Sequence, residues 1–402
     1  MRGEFCSLGF FALLVAVLTS EHPGVLAQSD ATATDPRQTA IRLEEEGKNA
    51  EAQTTWQAVL KAQPRSAEAY AHLGFLEARQ ERYKQAVPLY CKAMSLDPAM
   101  PGLRMNLGLA LFKTGDLKEA ISTFERLLSS EPLSSPEAQR LRTLIGMAHY
   151  GLQEYGAAVP DLKQATTADP ENLPFRLMLA HSCLAAKQYQ CVLDVYHEVL
   201  MLNAESAEAD MLAGEALDEM QDHAGAIQQF RAAVKANPKE PNVHFGLGYL
   251  LWTQGQYQEA ANEFQAELAN VPDHVQALVY LADAYVRMDH PDVAAPLLKK
   301  AIRLDQNTAM AHLDLGIVDS KNREWSDALR ELKLAAKLSP DNVNVHWHLA
   351  KAYQAMGRSS EASAEFEKTK TLIKAADDSV FRKINKARAQ TDHTEAFAPD
   401  GK

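Results

Sequence analysis

Residues 246–272 read GLGYLLWTQGQYQEAANEFQAELANVP. Leu247, Gly248 and Leu251 fall at helical spacing, Gly255 interrupts the run, and Tyr257, Ala260 and Phe264 recur at intervals of three and four. That pattern is two amphipathic helices joined by a tight turn. Pro272 follows the second helix, which it cannot continue. Gly248 and Ala260 leave no bulky side chain between the two backbones, so the helices can approach closely.

The same hairpin recurs outward along the chain. Prolines at 64, 98, 132, 170, 238, 272 and 340 are spaced by 34 or 68 residues, apart from one insertion of four between 132 and 170, and Ala204 and Gln306 occupy the two skipped beats. A second register runs through Ala52, Ala86, Ala120, Ala158, Ala226, Ala260, Ala294, Ala328 and Ala362, with Val192 the one substitution. A third holds Gly or Ala at Gly74, Gly108, Gly146, Ala180, Gly214, Gly248, Ala282, Gly316 and Ala350. Repetition at such a period marks a stacked array, because one hairpin cannot bury its apolar face alone. Tyr90, Phe124, Tyr196, Phe230, Phe264 and Phe366 are expected to plug the gap toward the following hairpin. At the insertion, Ser134, Pro136 and Glu137 resemble a capping box, so that the next helix starts a turn early.

The 34-residue period, the small-large-small signature and the closing proline resemble the tetratricopeptide repeat. The resemblance implies an all-α fold, a right-handed α-solenoid of about ten stacked helical hairpins over residues 37–374. It departs from the pattern at Thr39 and Ala40 in the first hairpin, at Val192 and Ala204 in the fifth, and at Lys374 in the tenth. Residues 375–389 (AADDSVFRKINKARA), with Val380, Ile384 and Ala387 on one side, are expected to form a helix capping the open end, followed by a flexible tail over 390–402.

The N-terminus reads as an address. Arg2 precedes the apolar run Leu8 to Leu18, and Val25-Leu26-Ala27 supplies the small residues of a cleavage site, so residues 1–27 are expected to be a secretory signal peptide. The alternative is an uncleaved membrane anchor. Residues 28–36 (QSDATATDP) are expected to be a disordered lead-in, and the chain to be exported as a soluble periplasmic or secreted protein.

Composition narrows function. The chain has 402 residues, is 46% apolar and 23% charged, and carries 41 Lys and Arg against 53 Asp and Glu, a net charge of −12. That balance argues against nucleic-acid binding, which needs a basic footprint. Four cysteines are too few for a disulfide-built scaffold. Cys183 and Cys191 fall late in one helix and early in the next; a short turn could bring them within bonding reach, and either a disulfide or two reduced buried thiols fits. No glycine-rich phosphate loop, zinc-protease motif or nucleophile elbow occurs, so no enzyme, cofactor, metal or small-molecule substrate is expected. His346-Trp347-His348 is the densest histidine cluster, but residues two apart on a helix point away from each other. His244, His312 and His346 share one repeat position and are expected to pack against the preceding hairpin.

In the family resembled, ligands lie along the first helices of successive hairpins. Carried over position by position, a peptide-binding groove would comprise Phe75, Met105, Phe112, Met147, Tyr150, Met178, Met211, Phe245, Tyr249 and Trp252, continuing through Val279 and Leu313, with Glu215 and Asp218 beside it. The family's carboxylate-clamp set is missing, since Asn106 and Arg140 alone do not make it. The methionines suit adaptable apolar binding, or else fill gaps between helices. The function implied is a non-catalytic adaptor for a peptide segment of a protein partner. The alternatives are a chaperone-like or assembly factor for exported or envelope proteins, and an accessory subunit of an envelope complex.

Overall fold

The computed structural model describes residues 35–132, 135–202 and 205–395. The expected signal peptide, most of the expected lead-in and residues 396–402 of the expected tail lie outside them. Among the described residues all regular structure is α-helical, in twenty helices that pair into ten hairpins. The chain divides into two compact units, residues 1–195 and 196–402.

The first unit holds α1 (Pro36–Glu45), α2 (Asn49–Ala62), α3 (Ala67–Arg79), α4 (Tyr83–Leu96), α5 (Leu103–Thr114), α6 (Leu117–Leu128), α7 (Pro136–Gly151), α8 (Tyr155–Ala168) and α9 (Leu173–Ala185). The boundary falls within α10 (Tyr189–Leu202). The second unit continues with α11 (Ala207–Glu219), α12 (His223–Ala236), α13 (Val243–Thr253), α14 (Tyr257–Asn270), α15 (Val275–Arg287) and α16 (Pro291–Leu304). It closes with α17 (Ala309–Lys321), α18 (Trp325–Leu338), α19 (Val343–Ala355) and α20 (Ser359–Glu395). From α1 to α9 and from α11 to α20 each helix packs on its neighbours in sequence, and α3 also touches α5, as α13 touches α11 and α15, and α17 touches α15 and α19. The expectation of an all-α stack of hairpins holds in each.

Local chemistry sets the helix ends. Most first helices open on side-chain caps: Asp35, Ser66, Ser135, Asn172 and Ser206 each accept a backbone N–H of the first turn, whereas α5, α13 and α17 have none. Each hairpin turns on one left-handed residue, at 47, 81, 115, 153, 187, 221, 255, 289, 323 and 357, with φ between 57° and 85°. The following N–H then reaches back five residues, as Arg82 to Glu77 and Glu324 to Asp319, and so satisfies a carbonyl the helix end leaves open.

The core is a repeated plug. Trp56, Tyr90, Phe124, Leu162, Phe230, Phe264, Leu298 and Leu332 occupy one register on the second helices and are all buried. A Cβ on Gly74 would lie 2.8 Å from the Tyr90 ring, on Gly108 2.5 Å from Phe124, and on Gly248 2.8 Å from Phe264. The plug therefore faces the glycine of its own hairpin first, which corrects the expectation that it points to the next one. Phe230 does both, lying 2.6 Å from a Cβ on Gly214 and 2.2 Å from one on Gly246 of the following hairpin. Burying each such ring contributes about 2–3 kcal/mol.

Three boundaries differ from expectation. The cap of α7 is Ser135, whose hydroxyl accepts the Ala138 N–H at 3.0 Å, not Ser134; proline favours the first helical position, so the cap is the residue directly before Pro136. With that start α7 has 16 residues where α3, α9 and α11 have 13, which absorbs the insertion as one extra turn. The helix expected over 375–389 is not separate: α20 runs unbroken from Ser359 to Glu395, through the first residues of the expected tail, because no proline or glycine interrupts it. Of the expected lead-in, Asp35 and Pro36 are instead the cap and first residue of α1.

Candidate functional site

Within the first unit the expected groove residues are half-buried. Phe75 sits beneath the Arg79 guanidinium, 5.6 Å from the ring centre. Met105 and Phe112 pack on the apolar cluster of Leu109, Leu111, Ile121, Phe124 and Leu141. The Tyr150 ring meets Tyr155 edge-on at 5.7 Å and His181 at 6.4 Å. Met147 and Met178 are half-buried beside them in sequence on α7 and α9.

The second unit concentrates aromatic surface. Met211, Phe245 and Trp252 pack on one cluster built from Phe230, Leu247, Leu251, Phe264 and Leu281. Around them, Tyr280 of α15 lies 5.9 Å from Phe245, 5.4 Å from Tyr249 and 5.1 Å from Trp252, all three in edge-to-face contact. Such pairs contribute about 0.5–1.5 kcal/mol beyond the area they bury. Tyr249 remains 36% exposed, so the cluster presents a ring to solvent. Phe245 also stacks on His274 at 5.0 Å. Tyr280 was not among the expected groove residues, because its register holds Gly246 and Asp314 in the neighbouring hairpins and carries no aromatic pattern. Val279 and Leu313, expected to continue the row, are 2% and 8% exposed and belong to the core, since neighbouring helices close over them.

A buried polar group fixes Trp252. Its indole N–H donates to Asp283 at 2.5 Å, Arg287 donates to the same oxygen at 2.5 Å, and the Arg287 guanidinium lies over the Trp252 ring at 5.1 Å. Asp283 thus meets the requirement that a buried carboxylate be paired and hydrogen-bonded. Asp314 of α17 is 3% exposed, and its Oδ2 has no hydrogen-bond partner. Burial, and after it the nearby Asp283 charge, hold its carboxyl well above the usual carboxylate range.

Farther along the same unit, Ile317, Ser320, Lys321, Trp325, Trp347, His348 and Lys351 line a cavity of about 430 Å³ between α17 and α19. Lys351 lies over the Trp347 ring at 5.4 Å, and burial pulls the His348 pKa down to about 4, so this imidazole is neutral at neutral pH.

His244, His312 and His346 do not face the preceding hairpin alone. Each ring Nδ1 meets a glutamate nineteen residues on, in the second helix of its own hairpin: Glu263 at 2.6 Å, Glu331 at 2.8 Å and Glu365 at 2.6 Å. Nε2 of His312 and of His346 donates to the carbonyls of Gln306 and Pro340 in the preceding turn, at 3.1 and 2.8 Å. His346 is thereby consumed structurally while His348 faces the cavity. Among the described residues no three His, Cys, Asp or Glu gather as a metal site, and no helix is long and apolar enough to cross a membrane. Cys183 and Cys191 have Cα atoms 5.9 Å apart and sulfurs at 2.06 Å, the separation of a disulfide, while Cys91 is free and exposed.

Family models described as tetratricopeptide repeat match residues 38–101, 177–241, 211–275, 245–307 and 281–318, others match 77–145 and 139–172, and one described as TPR repeat matches 323–357. Among curated proteins the chain is 23% identical over 335 residues to DnaJ protein P58IPK homolog A of Oryza sativa subsp. japonica, covering 76% of this chain and 65% of that protein. It is 22% identical over 302 residues to Protein CTR9 homolog of Arabidopsis thaliana, covering 71% of this chain and 27% of that one. The chain thus spans less than two thirds of the length of these relatives. Among solved structures, a tetratricopeptide repeat protein from Parabacteroides merdae matches with a TM-score of 0.46 and 20% identity, over 62% of this chain and 97% of that one.

Proposed function

The chain belongs to the tetratricopeptide repeat family, and on that premise we propose that it is a non-catalytic scaffold or adaptor that holds a peptide segment of a partner protein. Repeats of this family mediate protein–protein interaction, and the exposed faces of the first helices are where a partner would lie. The observation that carries the reading is the aromatic cluster of the second unit: Tyr249 is exposed beside half-buried Phe245, Trp252 and Tyr280, rigid amphipathic surface of the kind that dominates binding hot spots. Phe75, Met105, Phe112, Met147, Tyr150 and Met178 would offer a second, apolar stretch in the first unit.

The test is photocrosslinking in the native cell from a photoreactive residue at position 249, with a control at exposed Gln228 on α12. One partner captured from 249 and not from 228 supports the adaptor. Equal capture from both positions removes this face as the site. Capture of many exported proteins from 249 alone favours the chaperone-like reading, which half-buried, adaptable Met105, Met147 and Met178 support.

Export is the companion proposal. Residues 1–27 would direct the chain to an oxidising compartment, periplasmic or extracellular, where a Cys183–Cys191 disulfide can persist. Alkylation under denaturing conditions is expected to label two further thiols only after reduction. Cys191→Ser is expected to lower stability by about 2 kcal/mol, the loop-closure contribution of so short a ring. Equal labelling with and without reductant would sink the proposal.

A further inference from the structure

We propose that the first-helix face of the second unit is electrically polarised and seats its peptide in one direction, cationic residues over α11, apolar residues on the aromatic cluster, and an anionic residue in the cavity between α17 and α19. This rests on the scaffold reading above and adds the ligand's charge order to it.

One repeat position carries the argument. Stepping by the 34-residue period through the first helices of this unit, it holds Glu215, Tyr249, Asp283, Ile317 and Lys351. The two ends of that row bear opposite charges, and neither has an ion-pair partner among the described residues. Asp283 in the middle is already neutralised by Arg287 and Trp252. Asp218, near the acidic end, is met by His223 at 2.7 Å, and Lys321, near the basic end, pairs with Asp289 at 2.7 Å, so Glu215 and Lys351 themselves set the charge of the two ends. Glu215 is open to solvent yet enclosed on its protein side; that burial, then the Glu219 charge, raise its pKa, so an approaching cation relieves both. At the other end the cavity is walled by Trp325 and Trp347, with Lys321 and Lys351 on it and a neutral His348 within. An apolar body with a carboxylate at its tip matches that lining: rings for the body, the Lys351 ammonium for the tip. A cavity of about 430 Å³ is within the range of ligand pockets.

The row is also the right length for one peptide. Five packed first helices at about 10 Å spacing span roughly 40 Å. An extended chain at about 3.3 Å per residue covers that in roughly 12 residues. Charges placed at the two ends of such a track set orientation and encounter rate more than raw affinity.

The experiment uses the full chain and two synthetic twelve-residue peptides of one sequence, with two lysines at one end, two glutamates at the other, and leucines and phenylalanines between. A benzophenone is carried at the lysine end in one peptide and at the glutamate end in the other. The lysine-end probe is expected to crosslink to α11, and the glutamate-end probe to α17 or α19. Glu215→Lys and Lys351→Glu singly are expected to weaken binding several-fold, and the double variant to restore it with the crosslinks exchanged. Both positions are exposed, and circular dichroism checks that each variant remains helical. Crosslinks of both probes spread alike over α11 and α19 would overturn the polarity and leave the scaffold standing. Absence of any crosslink to this face would overturn both.

Discussion

The two units share one hairpin geometry and differ in what they hang on it. At the repeat position that reads Glu215, Tyr249, Asp283, Ile317, Lys351 in the second unit, the first unit has Ile41, Phe75, Leu109, Met147, His181. The first row carries no carboxylate or ammonium group; the second begins and ends on charge. The position that pairs the two helices of a hairpin varies within both units. The second has His244–Glu263, His312–Glu331 and His346–Glu365 but Leu278 opposite Leu297, and the first has Tyr70 opposite Leu89, Arg104 opposite Thr123 and Arg142 opposite Asp161. Backbone approach is thus common property, enforced by glycine against a plug. The face and the interhelix polar pair are free to diverge, because neither alters how close two backbones come.

If the backbone rule is common to both units, the largest effect should be the same in each. Gly248→Val places two methyl groups where a Cβ already lies 2.8 Å from the Phe264 ring, and is expected to cost about 3 kcal/mol or more in chemical denaturation. Gly74→Val against Tyr90 should cost as much; a wide disparity would show that the units do not share their packing. Next comes the polar pair, where hairpins with and without it should part. Glu331→Ala strands His312, 4% exposed, and is expected to cost about 2 kcal/mol, while Thr123→Ala at the same register in the first unit should stay within about 0.5 kcal/mol. A double-mutant cycle of His312 and Glu331 isolates their coupling.

A smaller effect depends on pH. The folded state raises the pKa of Asp314, so above about pH 4 the unfolded chain sheds this proton while the folded chain keeps it, and stability falls as pH rises. Asp314→Asn removes that loss. It is expected to raise the melting temperature at pH 8 and to gain little at pH 4. A gain independent of pH would mean that Asp314 is not held protonated. The smallest effect tests the turn. Arg323 has φ 63° where Gly255 and Gly357 stand in other hairpins, so Arg323→Gly is expected to stabilise by about 0.5 kcal/mol.

Much of the architecture was readable because its signals are local. Gly248 with Phe264, the closing prolines and the turn residues each act within one hairpin, and a 34-residue period repeats them until chance is excluded. The length of α7 followed from four inserted residues being one turn, and the continuity of α20 could have been read from its lack of proline and glycine. The composition of the candidate face was only half legible. Tyr249 and Trp252 lie where the period puts them, but Val279 and Leu313, at equally regular positions, are buried.

The residues of the chain settle by themselves that it forms hairpins, how many, and where each turns, since helix starts, stops and close approaches depend on neighbours within a turn or one hairpin. Folding alone could assign the environment of each side chain. Trp252 finds Asp283 thirty-one residues away, and His312 finds Glu331 across a helix pair. Asp314 is left buried without a partner for one oxygen. Periodicity places a residue on a helix, but whether that residue is exposed, paired or stranded depends on the side chains that the adjoining helices bring against it.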